Sequence, residues 1–137
     1  MIRVKYEITA EDFFKMRRSV GWRDIGINQL KKALDNSMIT LGLYDDHKII
    51  AMGRLVGDFS CKGMLTDIIV DPKYQRKGYG KQIVSEILAL CKSRLDQGDK
   101  ICIEANPTAG NRLFYIHCGF EYDPKKQEGV FLWIENV

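Results

Sequence analysis

The residues whose types and spacing carry the most chemistry lie in the run Asp71-Pro72-Lys73-Tyr74-Gln75-Arg76-Lys77-Gly78-Tyr79-Gly80-Lys81. Glycines at 78 and 80 remove side chains where an anion must approach the backbone, and they accept dihedrals that other residues resist. Arg76, Lys77 and Lys81 add positive charge around the same point. At the start of a helix, such a turn presents free amides and the positive end of a dipole, which suits a phosphate. Taken in isolation, the same residues also describe an ordinary basic surface turn, because short motifs recur by chance. Spacing excludes two nucleotide loops. A Walker A loop needs a glycine at position 75 and Ser or Thr after the lysine, where this chain has Gln75 and Gln82. A dinucleotide fingerprint needs a third glycine where Ile83 stands, and it belongs at the first strand–helix turn.

Other reactive types are scattered. Cys61, Cys91, Cys102 and Cys118 form no Cys-x-x-Cys pair, and His47 and His117 are far apart. Metal sites want such ligands clustered, so neither a bound metal nor a disulfide framework is expected. Cys91 and Cys102 lie in apolar runs and read as small core residues.

The elements that position the turn follow from periodicity. Ile2–Ile8 alternates with period two and reads as a strand. Thr9 is placed to cap a helix whose first turn carries Glu11 and Asp12 and whose apolar side is Phe13, Phe14 and Met16. The stretch 21–26 breaks that pattern, and a short helix is expected over Asn28–Leu34. Met38–Tyr44 and Ile49–Val56 read as a hairpin turning at 45–48, followed by a strand over Gly63–Val70 that Asp71-Pro72 ends. From Tyr79 to about residue 96 the apolar positions Ile83, Val84, Ile87, Leu88, Cys91 and Leu95 fall at helical spacing, with Gly98 as the stop. The wholly apolar Ile101-Cys102-Ile103 predicts a strand covered on both faces. A helix over about Ala109–His117 and strands near Phe120–Tyr122 and Val130–Ile134 complete the chain. This order, β-α-α-β-β-β-α-β-α-β-β, predicts a mixed α/β (α+β) domain spanning residues 1–137. The segment from Leu65 to Ala105 should be a right-handed parallel crossover.

Gln-x-x-Gly-x-Gly opening a helix, after a strand ending at Asp-Pro, resembles the acetyl-CoA signature of the GNAT superfamily of N-acetyltransferases. The segment Asn111-Arg112-Leu113-Phe114-Tyr115-Ile116-His117-Cys118-Gly119-Phe120 resembles that family's Asn…Phe-Tyr…Gly-Phe segment. The order of elements agrees along nearly the whole chain. The resemblance implies a mixed, mostly antiparallel twisted sheet of about six or seven strands flanked by about four helices. It also implies acetyl-CoA as co-substrate and a bulge in Asp67–Val70 that splays this strand from Ile103–Ala105. In that wedge the pantetheine arm would bond to backbone at Ile68 and Val70, with Ile69 less fixed because a bulge shifts the alternation. The pyrophosphate would meet amides of Arg76, Lys77, Gly78, Tyr79, Gly80 and Lys81, beside Gln75.

Asn111 and Tyr115, four apart, share a helix face. The resemblance places Asn111 near the pantetheine arm and aims Tyr115 at the thioester sulfur, where a phenol can protonate the departing thiolate. An amide near Ile69 or Val70 would polarise the thioester oxygen. Tyr115 also reads as an aromatic core residue among Phe114, Phe120 and Tyr122. A protonated amine cannot attack, so Glu104 and Asp67 are candidate bases, with Asp24 as another contributor. Asp67 equally reads as a strand-end residue without chemistry. For the acceptor wall the candidates are Trp22, Arg23, Asp24, Phe59 and Phe131, with Phe131 and Trp133 assigned to opposite faces of their strand, at least one in the core or a dimer contact. The acceptor is expected to be a small-molecule or peptide amine.

A net charge of +3 on 137 residues is too mild for a nucleic-acid protein. No run approaches the roughly 18 apolar residues of a membrane span. Charges in Met1–Glu7 stand where a signal peptide would be apolar, so a cytoplasmic location is expected. Val130–Ile134 is apolar on both faces, and an exposed edge there would favour a homodimer. A non-catalytic CoA-binding or sensor domain of the same fold is the alternative reading.

Overall fold

Thr9 accepts a hydrogen bond from the Asp12 amide at 3.1 Å and so starts the first helix where the sequence places it. A computed structural model describes residues 1–107, 111–126 and 129–137. In chain order its elements are β1 (Ile2–Lys5), α1 (Ala10–Ser19), α2 (Ile27–Asp35), β2 (Ile39–Asp45), β3 (Lys48–Gly57) and β4 (Lys62–Val70). There follow α3 (Tyr79–Ser93), β5 (Lys100–Ala105), α4 (Arg112–His117), β6 (Glu121–Tyr122) and β7 (Val130–Glu135). All seven strands join one sheet in the order β1-β2-β3-β4-β5-β7-β6. Only β4 and β5 pair in parallel, so the sheet is mostly antiparallel, as the resemblance implied.

Alternation along the strands sends apolar side chains to both faces. On one face α3 packs Ile83, Val84, Ile87 and Cys91 against Leu41, Leu55, Leu65, Ile101 and Ile103, and Tyr115 and Phe120 close the end of that core. On the other, α1 and α2 bury Phe13, Met16 and Leu30 over Tyr44, Ile49, Met52 and Ile69. Among the described residues no helix is long and apolar enough to cross a membrane.

One irregularity positions the site. Between the pairs Met52–Ile69 and Arg54–Thr66, β4 advances three residues while β3 advances two. The extra residue is a bulge, and Asp67 takes a left-handed φ of 53° there. β5 accompanies β4 only through Leu65–Ala105. Beyond that pair β4 holds on to β3 alone, and the parallel strands part.

Several boundaries differ from expectation. β1 ends at Lys5, and Ile8 lies buried under α1. α3 ends at Ser93 and is capped by Arg94, so Gly98 (φ 89°) serves the turn into β5 and is not the helix stop. Cys102 is only half-buried; β5 buries Ile101, Ile103 and Ala105 on its other face, so it is not covered equally on both. β7 is an inner strand, with β5 on one side and the two-residue β6 on the other. The beginning of the helix expected over 109–117 lies outside the described residues.

Candidate active site

The turn after β4 is tied back to it: the Gln75 side-chain amide donates to the Val70 carbonyl at 3.0 Å. Arg76 and Gly78 both adopt positive φ, 62° and 88°, and Gly78 is the N-cap of α3. Glycine suits this left-handed cap because it carries no Cβ. The first helical bond runs from the Gln82 amide to the Gly78 carbonyl at 3.0 Å. The amides of Gly78, Tyr79, Gly80 and Lys81 therefore precede the helical ladder and remain free for an anion.

Where β4 and β5 part, two cavities meet. The larger, about 390 Å³, is lined by Ile68, Val70, Gln75, Arg76, Gly80, Asn111, Phe114 and Tyr115. The smaller, about 200 Å³, is lined by Trp22, Met64, Leu65, Thr66, Asp67, Ile68, Asn106, Asn111 and Tyr115. Ile68, Asn111 and Tyr115 belong to both, so they mark the junction of two lobes of one cleft. Gly80 forms part of the larger lobe's wall; a Cβ there would stand 3.3 Å from Phe114 and 3.6 Å from Val70. A separate cavity of about 480 Å³, bordered by Asp12, Asp45, His47, Lys48 and Asp71, brings together none of the candidate catalytic or acceptor residues.

Tyr115 is 9% exposed and held by edge-on contacts with Phe114 (5.1 Å between ring centres) and Phe120 (5.7 Å). Burial, with a smaller contribution from Cys118, pushes its phenol above the ordinary tyrosine range. Its ring closes the core and its position borders both lobes. Asn111 stands at the N-cap of α4, one helical turn before it.

The remaining candidates are distributed unevenly. Ile68 and Val70 line the larger lobe, whereas the side chain of Ile69 is buried beneath α1. Lys77 lies over the Tyr74 ring at 5.7 Å, and Tyr79 packs at the margin of the α3 core. Lys81 is exposed on the first turn of α3. Asp67 is almost buried, one carboxylate oxygen 3.3 Å from Arg17 Nη1 and the other 2.6 Å from Arg54 Nε. Glu104 meets Lys62 Nζ at 2.6 Å and lines neither lobe.

On the acceptor side, Trp22 borders the smaller lobe. Arg23 contributes its carbonyl to Arg17 Nη2 at 2.9 Å. Asp24 pairs with Arg18 at 2.9 Å, and that hydrogen bond lowers its carboxyl below the usual range. Phe59 belongs elsewhere. It borders a small groove of Met38, Cys91, Arg94 and Leu95 at the far end of α3, because the β3–β4 hairpin tip lies at the opposite end of β4 from the glycine turn. Phe131 and Trp133 share one face, opposite Glu104 and Cys102 in register; residues two apart on a strand cannot diverge, which corrects their assignment to opposite faces. Neither lines a lobe.

Arg17, Arg54, Thr66, Met64 and Asn106 were not anticipated. Arg54 had a signal, since a charge inside the apolar run Ile49–Val56 demands a buried partner. Arg17 had none, because a charge in the last turn of an amphipathic helix ordinarily faces solvent.

Among the described residues no cluster of His, Cys, Asp and Glu could hold a metal ion. The glycine turn and the cleft beside it could hold an elongated anionic group. Residues 36–122, from before β2 through β6, match the family described as the acetyltransferase (GNAT) domain. The chain belongs to this family, and it is an acetyltransferase. It is 31% identical over 128 residues to the uncharacterized N-acetyltransferase ycf52 of Gracilaria tenuistipitata, covering 90% of this chain and 68% of that protein. It is 28% identical over 141 residues to histone acetyltransferase TAP1 of Glycine max, covering 95% of this chain and 59% of that one. Among solved structures, a probable acetyltransferase from meticillin-resistant Staphylococcus aureus superposes with a TM-score of 0.82 at 26% identity, covering 93% of this chain and 95% of the other. A GNAT-family acetyltransferase from Brucella melitensis, solved in complex with acetyl-CoA, shares the fold at a TM-score of 0.68 and 15% identity, over 96% of this chain and 87% of that one.

Proposed function

We propose that this chain transfers the acetyl group of acetyl-CoA directly to a primary amine, the donor lying in the larger lobe and the acceptor in the smaller. The observation that carries the reading is the junction: Ile68, Asn111 and Tyr115 border both lobes, so groups arriving from either side meet beside the phenol. The free amides at Gly78–Lys81, with Arg76 beside them, suit the pyrophosphate, and the larger lobe leads from that turn to Tyr115. The exposed β4 backbone past Leu65 suits an extended arm that bonds as an added strand.

Acetyl-CoA supplies a thioester carbon, to which the amine nitrogen bonds as the carbon–sulfur bond breaks. Tyr115 holds the proton that the leaving sulfur needs, and its raised phenol keeps that proton through neutral pH. The smaller lobe offers Trp22, Met64, Thr66 and Asn106, with Asp67 engaged by two arginines. Its surroundings are thus short of free negative charge, which disfavours the ammonium form and helps deliver a neutral amine. Solvent then accepts the amine's proton, and neither Glu104 nor Asp67 is required as a base.

A homodimer remains part of the proposal. The β7 segment 132–135 pairs with β5 and has no β6 residue opposite it, so a second copy could add along that edge.

The test is thiol release from acetyl-CoA across a panel of small amines, polyamines, amino sugars, amino acids and peptides, with the product mass checked for one acetyl group. Acetylation of at least one amine supports the reading. Tight acetyl-CoA binding without turnover on any amine would contradict it.

A further inference from the structure

Asp67 combines two costly features. A non-glycine residue in the left-handed region persists only where its surroundings hold it, and a buried carboxylate persists only with partners. Asp67 has φ 53° and a side chain 8% exposed. Arg17 and Arg54 answer both needs, and each continues into a different element. Arg54, on β3, donates from Nη1 to the Ser37 hydroxyl at 3.2 Å and the Ala33 carbonyl at 3.4 Å, at the end of α2. Arg17, on α1, donates from Nη2 to the Arg23 carbonyl, and its guanidinium lies 5.5 Å from the centre of the Trp22 ring. One carboxylate therefore links the bulge to α1, to α2 through Arg54, and to the loop that carries Trp22.

We infer that Asp67 is a positioning residue for acetyl transfer: its ion pairs with Arg54 and Arg17 hold the β4 bulge, which borders the donor lobe, in register with the Trp22 wall of the acceptor lobe. A proton acceptor needs an oxygen free to meet the amine. Both oxygens of Asp67 meet guanidinium nitrogens instead. The bulge also sets which β4 residues face the cleft: Ile68 and Val70 line the larger lobe on one side of it, and Thr66 the smaller lobe on the other.

The inference rests on the proposed reaction for its turnover arm but not for its binding arm. Asp67→Asn keeps a residue type that tolerates the left-handed conformation while removing the charge. With the fold intact by circular dichroism, acetyl-CoA affinity by calorimetry should weaken about tenfold as the bulge loosens. Arg17→Gln leaves the Arg54–Asp67 pair balanced and releases only the Trp22 side. It should raise the acceptor KM about tenfold and leave acetyl-CoA affinity within about twofold, a split that mere loss of stability would not produce. If Asp67→Asn does not fold, the Arg17→Gln split decides alone. A lowered melting temperature with both affinities unchanged would overturn the inference. So would an Asp67→Asn variant that binds acetyl-CoA normally but loses the acidic limb of its pH–rate profile, the mark of a general base. A wild-type chain that binds acetyl-CoA yet acetylates no amine would overturn the proposed reaction, and the Asp67→Asn affinity would then decide the inference.

Discussion

Gln75 donates its side-chain amide to the Val70 carbonyl across 3.0 Å, so the glycine turn is fastened to the last residue of the strand that opens the cleft. This bond fastens the turn from one side, and the Tyr74 hydroxyl, which donates to Asp45 at 3.0 Å, fastens it from another. Gln75→Ala should weaken acetyl-CoA binding by about two- to tenfold, the worth of one such bond. Calorimetric titration checks this; an unchanged affinity would show that the turn holds its shape without the clamp.

Gly78 and Gly80 answer to different constraints, and substitution separates them. Gly78 has φ 88° with open space beyond it, so Gly78→Ala strains only the backbone and should cost about 1–2 kcal/mol of stability. At Gly80 a Cβ would stand 3.3 Å from Phe114, so Gly80→Val should crowd the larger lobe itself. At acetyl-CoA about a hundredfold above its Kd, the wild-type chain should gain about 2.7 kcal/mol of stability. Gly80→Val should lose most of that gain in a thermal-shift experiment. A full gain in Gly80→Val would move the donor out of this lobe.

Glu104 is paired with Lys62, and their hydrogen bond raises the lysine above its ordinary range. Because Glu104 borders neither lobe, Glu104→Gln should alter turnover by less than about twofold, the scale of an exposed ion pair. A loss of tenfold or more in initial rates would restore Glu104 as the base.

Tyr44 provides a pH signature independent of catalysis. Burial first, and then its hydrogen bond to Asp12 at 2.8 Å, raise its phenol above the unfolded value. A folded-state pKa raised in this way contributes stability that is whole below about pH 10, the unfolded tyrosine value, and is lost as pH rises beyond it. Tyr115 shifts in the same direction through burial. Melting temperature should hold on approaching pH 10 and fall above it, and Tyr44→Phe should flatten that fall. An identical alkaline slope in Tyr44→Phe would remove Tyr44 as its origin.

Much of this was legible from local chemistry. The Thr9 cap, the hairpin turn within 45–48 and the apolar stripe of α3 depend on neighbours in sequence, and each falls where periodicity or capping placed it. The glycine turn and Tyr115 were legible because two motifs fell on matching elements. What could not be read depended on contacts distant in sequence. Arg17 and Asp67 are fifty residues apart, and nothing near either residue announces the other. Phe59 was misplaced because a hairpin tip can lie at either end of a cleft until the sheet order is known. Cys102 was read as core because an apolar run does not reveal which faces a helix will cover.

Tyr115 is shared between two demands, since its ring belongs to the core and its position to both lobes. The most direct measurement is steady-state turnover of Tyr115→Phe at neutral pH, on an amine that the wild-type chain acetylates, beside acetyl-CoA affinity by calorimetry. In Tyr115→Phe kcat should fall by about a hundredfold, the lower range for loss of a general acid, with affinity within about twofold of wild type. Wild-type turnover in Tyr115→Phe would contradict that role.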